Sequence, residues 1–373
     1  MQKNEIPKVL IYDLSQTSGW EEFKDSLQQL PKKIQSEQWH SLDFEEVVQE
    51  AQQRGFLLDT LAEYVKDMEK LMLAKTYFAQ AERPYRFPEA FSTDWHTACI
   101  VEFPWKTGNG RYVVLPPKDA FLFLTSTRNE IIIPEVAQQA FQKIKIGFAG
   151  AGVGSSLVEG VVRAGVQNII VADGGNISFH DLNRLQSPDV ASIGENHAIN
   201  CVRKALQTNP FLNATCIPQN LGEDDQKERF SIRKFLNGVD IIFEEVDNLA
   251  IKIAIRKEAR AQHIPVIMAT DVGFGTVIEF QKGESDAPIF PLITEEEQQK
   301  LLTNTSMSLS EKTALAIKMV GPEAHYWQQG VEAGLTFWSQ TGAAADVSKA
   351  KGVETLVKWV MNEEIPTKQS YFS

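Results

Sequence analysis

The chain has 373 residues, long enough to bury a large core in one big domain with a smaller companion or in two domains. Its 37 basic and 49 acidic side chains give a formal net charge of −12, and no block of Lys and Arg is dense enough to track a phosphate backbone, which argues against a nucleic-acid partner. The three cysteines, Cys99, Cys201 and Cys216, form no CxxC pair, and no stretch approaches the roughly 18 apolar residues of a membrane span, so the expectation is a soluble cytoplasmic protein without a zinc site.

Residues 1–125 read as a smaller α+β region. KVLIYDL suggests a strand, residues 57–82 have helical spacing, and the prolines of PYRFPEAF break it. ACIVEFPWKTGNGRYVVL then reads as a hairpin around Gly108, Asn109 and Gly110. Nothing in this region carries recognisable chemistry, which leaves it the role of a recognition module.

From Lys143 the texture changes. The apolar runs KIKIGFAG, NIIVAD, NATCIPQN, VDIIFEEVD and PVIMATDV alternate with helical segments, the pattern of buried parallel strands in a doubly wound, Rossmann-like α/β sheet with helices on both faces. Residues 126–373 form this second domain, with a polar, proline-punctuated excursion after Phe280 and helices near the carboxyl end. Ligands in such sheets sit beyond the carboxyl ends of the strands, which singles out Gly150, Asp173, Asp247 and Asp271.

Gly150, Gly152 and Gly154 stand between a strand and a helix whose apolar stripe includes Leu157, Val158, Val161 and Val162. Such a turn accepts phosphate on free N–H groups at the positive end of the helix dipole. Asp173 ends the next strand, where a carboxylate accepts hydrogen bonds from ribose hydroxyls of either NAD or ATP. Arg184 tips the balance toward ATP, since cleavage between phosphates needs a cation that hydride transfer does not. A nicotinamide- or flavin-linked oxidoreductase and a non-catalytic nucleotide-binding scaffold remain as alternatives.

The run from Asp173 through Leu182, Asn183 and Arg184, then Ile193-Gly194, Asn209-Pro210 and Asp247-Asn248, resembles the ThiF/MoeB-type adenylyltransferases, the superfamily that includes the ubiquitin-activating enzymes. It is most similar to bacterial ThiF-like proteins related to nitroreductase fusions. The resemblance implies an ATP- and magnesium-dependent enzyme that converts a carboxylate, such as the C-terminus of a peptide or ubiquitin-like protein, into an acyl adenylate. It assigns the glycines to the nucleotide loop, Asp173 to the ribose, Asn183 and Arg184 to the nucleotide and its phosphates, and Asp247 to Mg2+. It also implies a homodimer, in which Arg128 reaches the neighbouring site. His197 stands where the family pattern has a phosphate-binding lysine, and Lys204, two turns further along the helix, is a substitute that could reach inward. Gly175 replaces the second aspartate of the D-x-D pattern, Asp181 its asparagine and Leu185 its glutamine. The thioester cysteine of ubiquitin activators has no counterpart, since no cysteine follows Cys216. Cys201 and Cys216, which flank core segments, read as packing residues, Trp327 and Trp338 as core or dimer contacts, and Glu295-Glu296-Glu297 as a solvated helix start.

Overall fold

The computed structural model describes residues 5–28, 44–55, 57–68, 70, 97–106, 110–129, 132–222, 229–303 and 307–372. The chain divides into two compact units, Pro7–Arg128 and Asn129–Ser373.

In the amino-terminal unit, strands β1 (Leu10–Asp13), β2 (Leu57–Asp59), β3 (Cys99–Glu102) and β4 (Tyr112–Leu115) form one sheet in the order β1-β3-β4-β2. Helices α1 (Thr17–Gln28) and α2 (Phe44–Gln53) supply Phe23, Leu27, Val47 and Val48 to a core with Ile100, Tyr112 and Val114. The expected hairpin is present as the antiparallel pair β3–β4, whose turn residues Gly108 and Asn109 lie outside the described residues. The helical reading of residues 57–82 needs correction at its start. Leu57–Asp59 pair in parallel with β4, and among the described residues of the stretch, 61–68 and 70 are helical, after Asp59 Oδ1 accepts the Leu61 N–H at 2.9 Å. Tertiary pairing overrides local spacing here; residues 71–82 and the PYRFPEAF segment lie outside the described residues. Helix α3 (Lys118–Ser126) ends this unit.

The larger unit opens with α4 (Glu135–Phe141) and β5 (Lys145–Ala149), and continues through α5 (Gly154–Ala164), β6 (Asn168–Ala172), α6 (His197–Thr208) and β7 (Asn213–Ile217). A two-stranded ladder of β8 (Leu221–Gly222) and β9 (Phe230–Ser231) leads through α7 (Ile232–Leu236) to β10 (Ile241–Glu244), α8 (Leu249–Ala261), β11 (Val266–Val272) and β12 (Gly275–Gln281). The chain closes with α9 (Glu295–Thr303), α10 (Leu309–Val320), α11 (Tyr326–Glu332), α12 (Gly342–Val360) and β13 (Lys368–Tyr371).

The main sheet has the order β13-β12-β11-β10-β5-β6-β7, with β11, β10, β5, β6 and β7 parallel and β12 and β13 antiparallel at one edge. The five expected parallel strands are all present; β12 and β13 are additions to that reading. Both faces of the sheet are covered, which is why every residue of β10 is buried. Phe148 of β5 stacks on Phe243 of β10, on the face that α5 and α12 cover. Ala149 and Ile242 face the other way, into a cluster with Phe235 and Leu236 of α7 and Ile251 and Ile255 of α8. The chain goes from β5 to β6 on one side and places β10 on the other, so the strand order reverses between β5 and β10. Crevices form at such reversals. Among the described residues, no helix is long and apolar enough to cross a membrane.

Candidate active site

A cavity of about 410 Å³ opens at the carboxyl ends of β5, β6, β10 and β11. The glycine turn forms its floor, and its three glycines have different reasons. Gly150 has φ +100°, and a Cβ there would come within 2.7 Å of the Glu245 carbonyl oxygen, so the fold itself requires it. Gly154 has ordinary room for a side chain, 3.5 Å from Glu245 Cβ. A Cβ on Gly152 would meet no atom within 4 Å and its φ is not positive, so neither packing nor backbone geometry calls for glycine. What glycine leaves at that position is open cavity over the start of α5, an eleven-residue helix that no side chain caps.

Asp173, just past β6, binds the turn from the other side. Its Oδ2 accepts the Ala151 N–H and its Oδ1 the Gly175 N–H, both at 2.7 Å. His197, the first residue of α6, places Nδ1 3.5 Å from Asp173 Oδ1 and Nε2 3.4 Å from Asp181 Oδ2. Asp181 also accepts from the Ser178 hydroxyl at 2.6 Å and from Arg184 Nη2 at 3.1 Å. Arg184 Nη1 donates to the His180 carbonyl at 2.8 Å, while its buried Nε has no partner. Burial opposes charge on Asp173, yet the His197 ring and the two N–H donors outweigh it and hold the carboxyl below its ordinary range. Asp181 is lowered in the same way, against burial, by Ser178, His197 and Arg184. Burial likewise disfavours the charged imidazole, but the two carboxylates prevail and raise the His197 pKa.

The opposite wall carries more acid than base. Glu244, fully buried, accepts from Lys252 Nζ at 2.7 Å and from Arg256 Nε at 3.2 Å, and Arg256 also donates to Glu279 at 2.6 Å. Those cations are thereby used. Among the described residues Glu245 accepts only the Ala269 N–H, and burial pushes its pKa up to about 8. Asp271, 2% exposed, accepts from Gln340 Nε2 at 2.9 Å through Oδ1, while Oδ2 has no partner; burial, reinforced by Asp247, pushes it up to about 7. Asp247 opens onto the cavity, and among the described residues its carboxylate has no hydrogen-bond or ion-pair partner. The surrounding protein raises its pKa, Lys252 and Arg184 pull it down, and Asp173 and Glu244 raise it further. Trp327 and Trp338, stacked with centroids 4.9 Å apart, close the far side. Trp327 is a core residue, Trp338 is half-buried against that core, and both form the apolar wall of the cavity. A wider groove of about 1050 Å³ runs on past Asp181, Arg184 and Asp247 toward Leu302, Lys312 and Phe337.

Of the residues singled out from sequence, Gly150, Gly152, Asp173, Arg184, His197 and Asp247 line the cavity, and Gly154 starts the helix beneath it. Asn183 lines the groove and donates to the Gln340 carbonyl at 3.1 Å. Lys204 does not reach inward. It lies 3.7 Å from Asp189 and lines a separate depression behind α5, because seven residues along a helix restore the facing direction but move the side chain about 10 Å from its start. His197 is turned to two carboxylates rather than left free for a phosphate. Arg128 is exposed in the short turn Thr127–Asn129. Lys252, Glu245, Arg229 and Gln340 line the cavity without having been singled out. The paired acids of VDIIFEEVD were a usable signal for Glu245; Gln340, about seventy residues from its partner Asp271, had none.

Residues 126–321, more than half of the chain, match the ThiF family. The chain is 28% identical over 189 residues to the uncharacterized protein MT1398 of Mycobacterium tuberculosis, which covers 50% of this chain and 25% of that protein. It is 22% identical over 142 residues to the tRNA threonylcarbamoyladenosine dehydratase of Bacillus subtilis, covering 38% and 54%. It is 24% identical over 152 residues to the sulfur carrier protein ThiS adenylyltransferase of Escherichia coli, covering 39% and 57%. The chain thus spans between a quarter and under three fifths of the length of these relatives. On the extent of the family match, the chain belongs to the ThiF family.

Proposed function

We propose that this protein is an ATP-dependent adenylyltransferase that activates the C-terminal carboxylate of a peptide or small protein as an acyl adenylate, releasing pyrophosphate. The observation that carries this reading is the convergence of the open Gly152 floor, the Arg184 guanidinium and the unpartnered Asp247 on one cavity. Family membership and the adenylyltransferase among the relatives support it.

Attack of a carboxylate on an α-phosphate brings two anions together, so the site must supply positive charge and alignment. The turn at Gly152 and the start of α5 would take the phosphates on backbone N–H groups, and Asp173 the ribose hydroxyls. Arg184, held by His180, Asn183 and Asp181 on the cavity wall, would face the phosphate oxygens with its guanidinium charge. Among the described residues no three His, Cys, Asp or Glu side chains form a metal cluster. A single free carboxylate amid raised acids does fit Mg2+, which takes one or two carboxylates and completes its shell from phosphate and water. Asp247 would hold that ion, whose charge, when bound, offsets the phosphate oxygens. All three thiols are pushed upward, chiefly by burial, Cys99 to about 11 and Cys216 to about 12, so none is a ready thioester nucleophile. The acyl group therefore passes directly from the adenylate to its acceptor. The amino-terminal unit is assigned to partner recognition, and exposed Arg128 to the cavity of a second copy in a homodimer.

The test is ATP–pyrophosphate exchange against a panel of peptides with free C-termini, run beside thermal shifts with ATP, Mg2+ and NAD. Exchange that depends on peptide, and is lost in Arg184→Ala and Asp247→Ala, supports the reading. A shift with NAD but none with ATP and Mg2+ favours an oxidoreductase, and ATP binding without exchange a scaffold. Mixing Arg128→Ala with Asp247→Ala restores activity only if the arginine acts across a dimer.

A further inference from the structure

Gly175 and His197 fit together. A Cβ on residue 175 would come 3.1 Å from His197 Nδ1 and 3.1 Å from Asp173 Oδ1, and the Gly175 backbone is not in a left-handed conformation. The absent side chain therefore serves the imidazole and not a turn. The backbone that carries the ring is anchored: the His197 backbone N–H donates to the Gly175 carbonyl at 2.9 Å, and Asn196 Nδ2 donates to the carbonyls of Asp173 and Gly175 at 2.9 and 3.0 Å. Its two nitrogens then lie between carboxylates from two different segments, Asp173 after β6 and Asp181 in the turn before α6.

We propose that His197 is a positioning residue, an imidazolium strut that ties the Asp173 carboxylate to the Asp181 carboxylate holding Arg184, with Gly175 leaving the ring its room. This rests on the nucleotide reading above and goes beyond it, because it assigns the His197 ring to two carboxylates rather than to ribose or phosphate. A neutral imidazole has one N–H and one lone pair, so it can serve only one of two carboxylates; the imidazolium serves both. The charged groups facing the ring are Asp173, Asp181 and, paired with Asp181, Arg184; Asp247 and Arg229 line the same cavity. The raised pKa of the ring agrees with this placement. Below that pKa the strut is complete. As the pH rises through it, one carboxylate loses its donor, and Arg184 and the glycine turn lose their common anchor.

Two measurements test the strut. The first is an NMR titration of the imidazole in the nucleotide-free protein, in which His197 should titrate above 6.5 and move down in Asp173→Asn and in Asp181→Asn. The second is calorimetric binding of ATP with Mg2+ at pH 6 and pH 8.5. Wild type should lose about tenfold more affinity over this range than His197→Gln, a difference that cancels the ionisation of ATP itself. His197→Lys, charged throughout, should give a flat profile. Gly175→Ala should weaken binding more in wild type than in His197→Ala, where only the contact with Asp173 remains, the coupling expected of two groups sharing one space. Parallel profiles for wild type and His197→Gln, a ring titrating at or below its ordinary value, or equal effects of Gly175→Ala in both backgrounds would overturn the strut. Failure of wild type to bind ATP at pH 6 would remove the nucleotide reading alone, since the ring titration decides the strut without nucleotide.

Discussion

On the β6 side of the cavity, Asp173 and Asp181 are met by backbone N–H groups, a serine hydroxyl, an imidazole and a guanidinium. On the β10–β11 side, among the described residues, Asp247 meets none of these and Asp271 keeps one oxygen bare, while Lys252 and Arg256 are spent on Glu244 and Glu279. The first wall is complete in the free protein. The second is short of positive charge: Asp271, buried, is pushed toward its protonated form, and Asp247, exposed on the cavity wall, is placed to meet a cation. The difference separates what the fold must stabilise from what a ligand must complete.

The strongest way to break this comparison is to remove the unanswered acid. Asp247→Asn should lower exchange by about 100-fold or more, the scale of losing a group that stabilises developing charge. The melting temperature of the nucleotide-free protein should hold or rise, because Asp173 and Glu244 lose a like-charged neighbour. A fall in both quantities, read by exchange and calorimetry, would make Asp247 a structural residue.

The answered wall should behave in the opposite way. Arg184→Ala should reduce exchange by about 100-fold and also destabilise the fold by about 1–2 kcal/mol, since Asp181 and the His180 carbonyl each lose a donor. Denaturant unfolding checks the second number. Activity lost with stability unchanged would mean that Arg184 is not part of the prebuilt wall.

The glycine turn sharpens the distinction within four residues. Gly150→Ala forces a Cβ onto the Glu245 carbonyl at positive φ and should destabilise the fold by about 1–3 kcal/mol. Gly152→Ala meets no protein atom, so it should leave unfolding unchanged while weakening ATP binding several-fold. Equal loss of stability in both variants would remove the ligand as the reason for Gly152.

The same division governs what the sequence discloses. The parallel strands are legible because burial on both faces leaves unbroken apolar runs such as NIIVAD, and the cavity's first wall because its glycines and strand-end aspartate stand at short, regular offsets. The second wall draws Lys252 from α8, Trp327 from α11 and Gln340 from the approach to α12, residues with no fixed spacing from the turn. Strand β13 is missed for a related reason: KQSY has no apolar run, and its place comes from pairing to β12 and from side-chain contacts such as Lys368 to the Met319 carbonyl and Ser370 to Glu323. His197 shows the limit most clearly. Its departure from the family pattern is visible in sequence, but its meaning depends on two carboxylates that only the fold sets on either side of it.

The smallest effect expected is a slope of stability with pH, and it tests the second wall without any ligand. Asp271 has a pKa raised to about 7 from an ordinary 3.8. Between these values the folded protein keeps a proton that the unfolded chain has released, so stability is full at low pH, declines as the pH rises through this window, and levels off above it. Glu245, raised to about 8, extends the decline upward. The melting temperature of wild type should therefore fall between pH 5 and pH 7.5. Asp271→Asn carries no titrating proton and keeps a polar group against Gln340, so its curve should be flatter, with the remaining slope set by Glu245. Identical slopes would mean that Asp271 is ionised in the folded protein and that its wall already holds the positive charge it lacks in the free cavity.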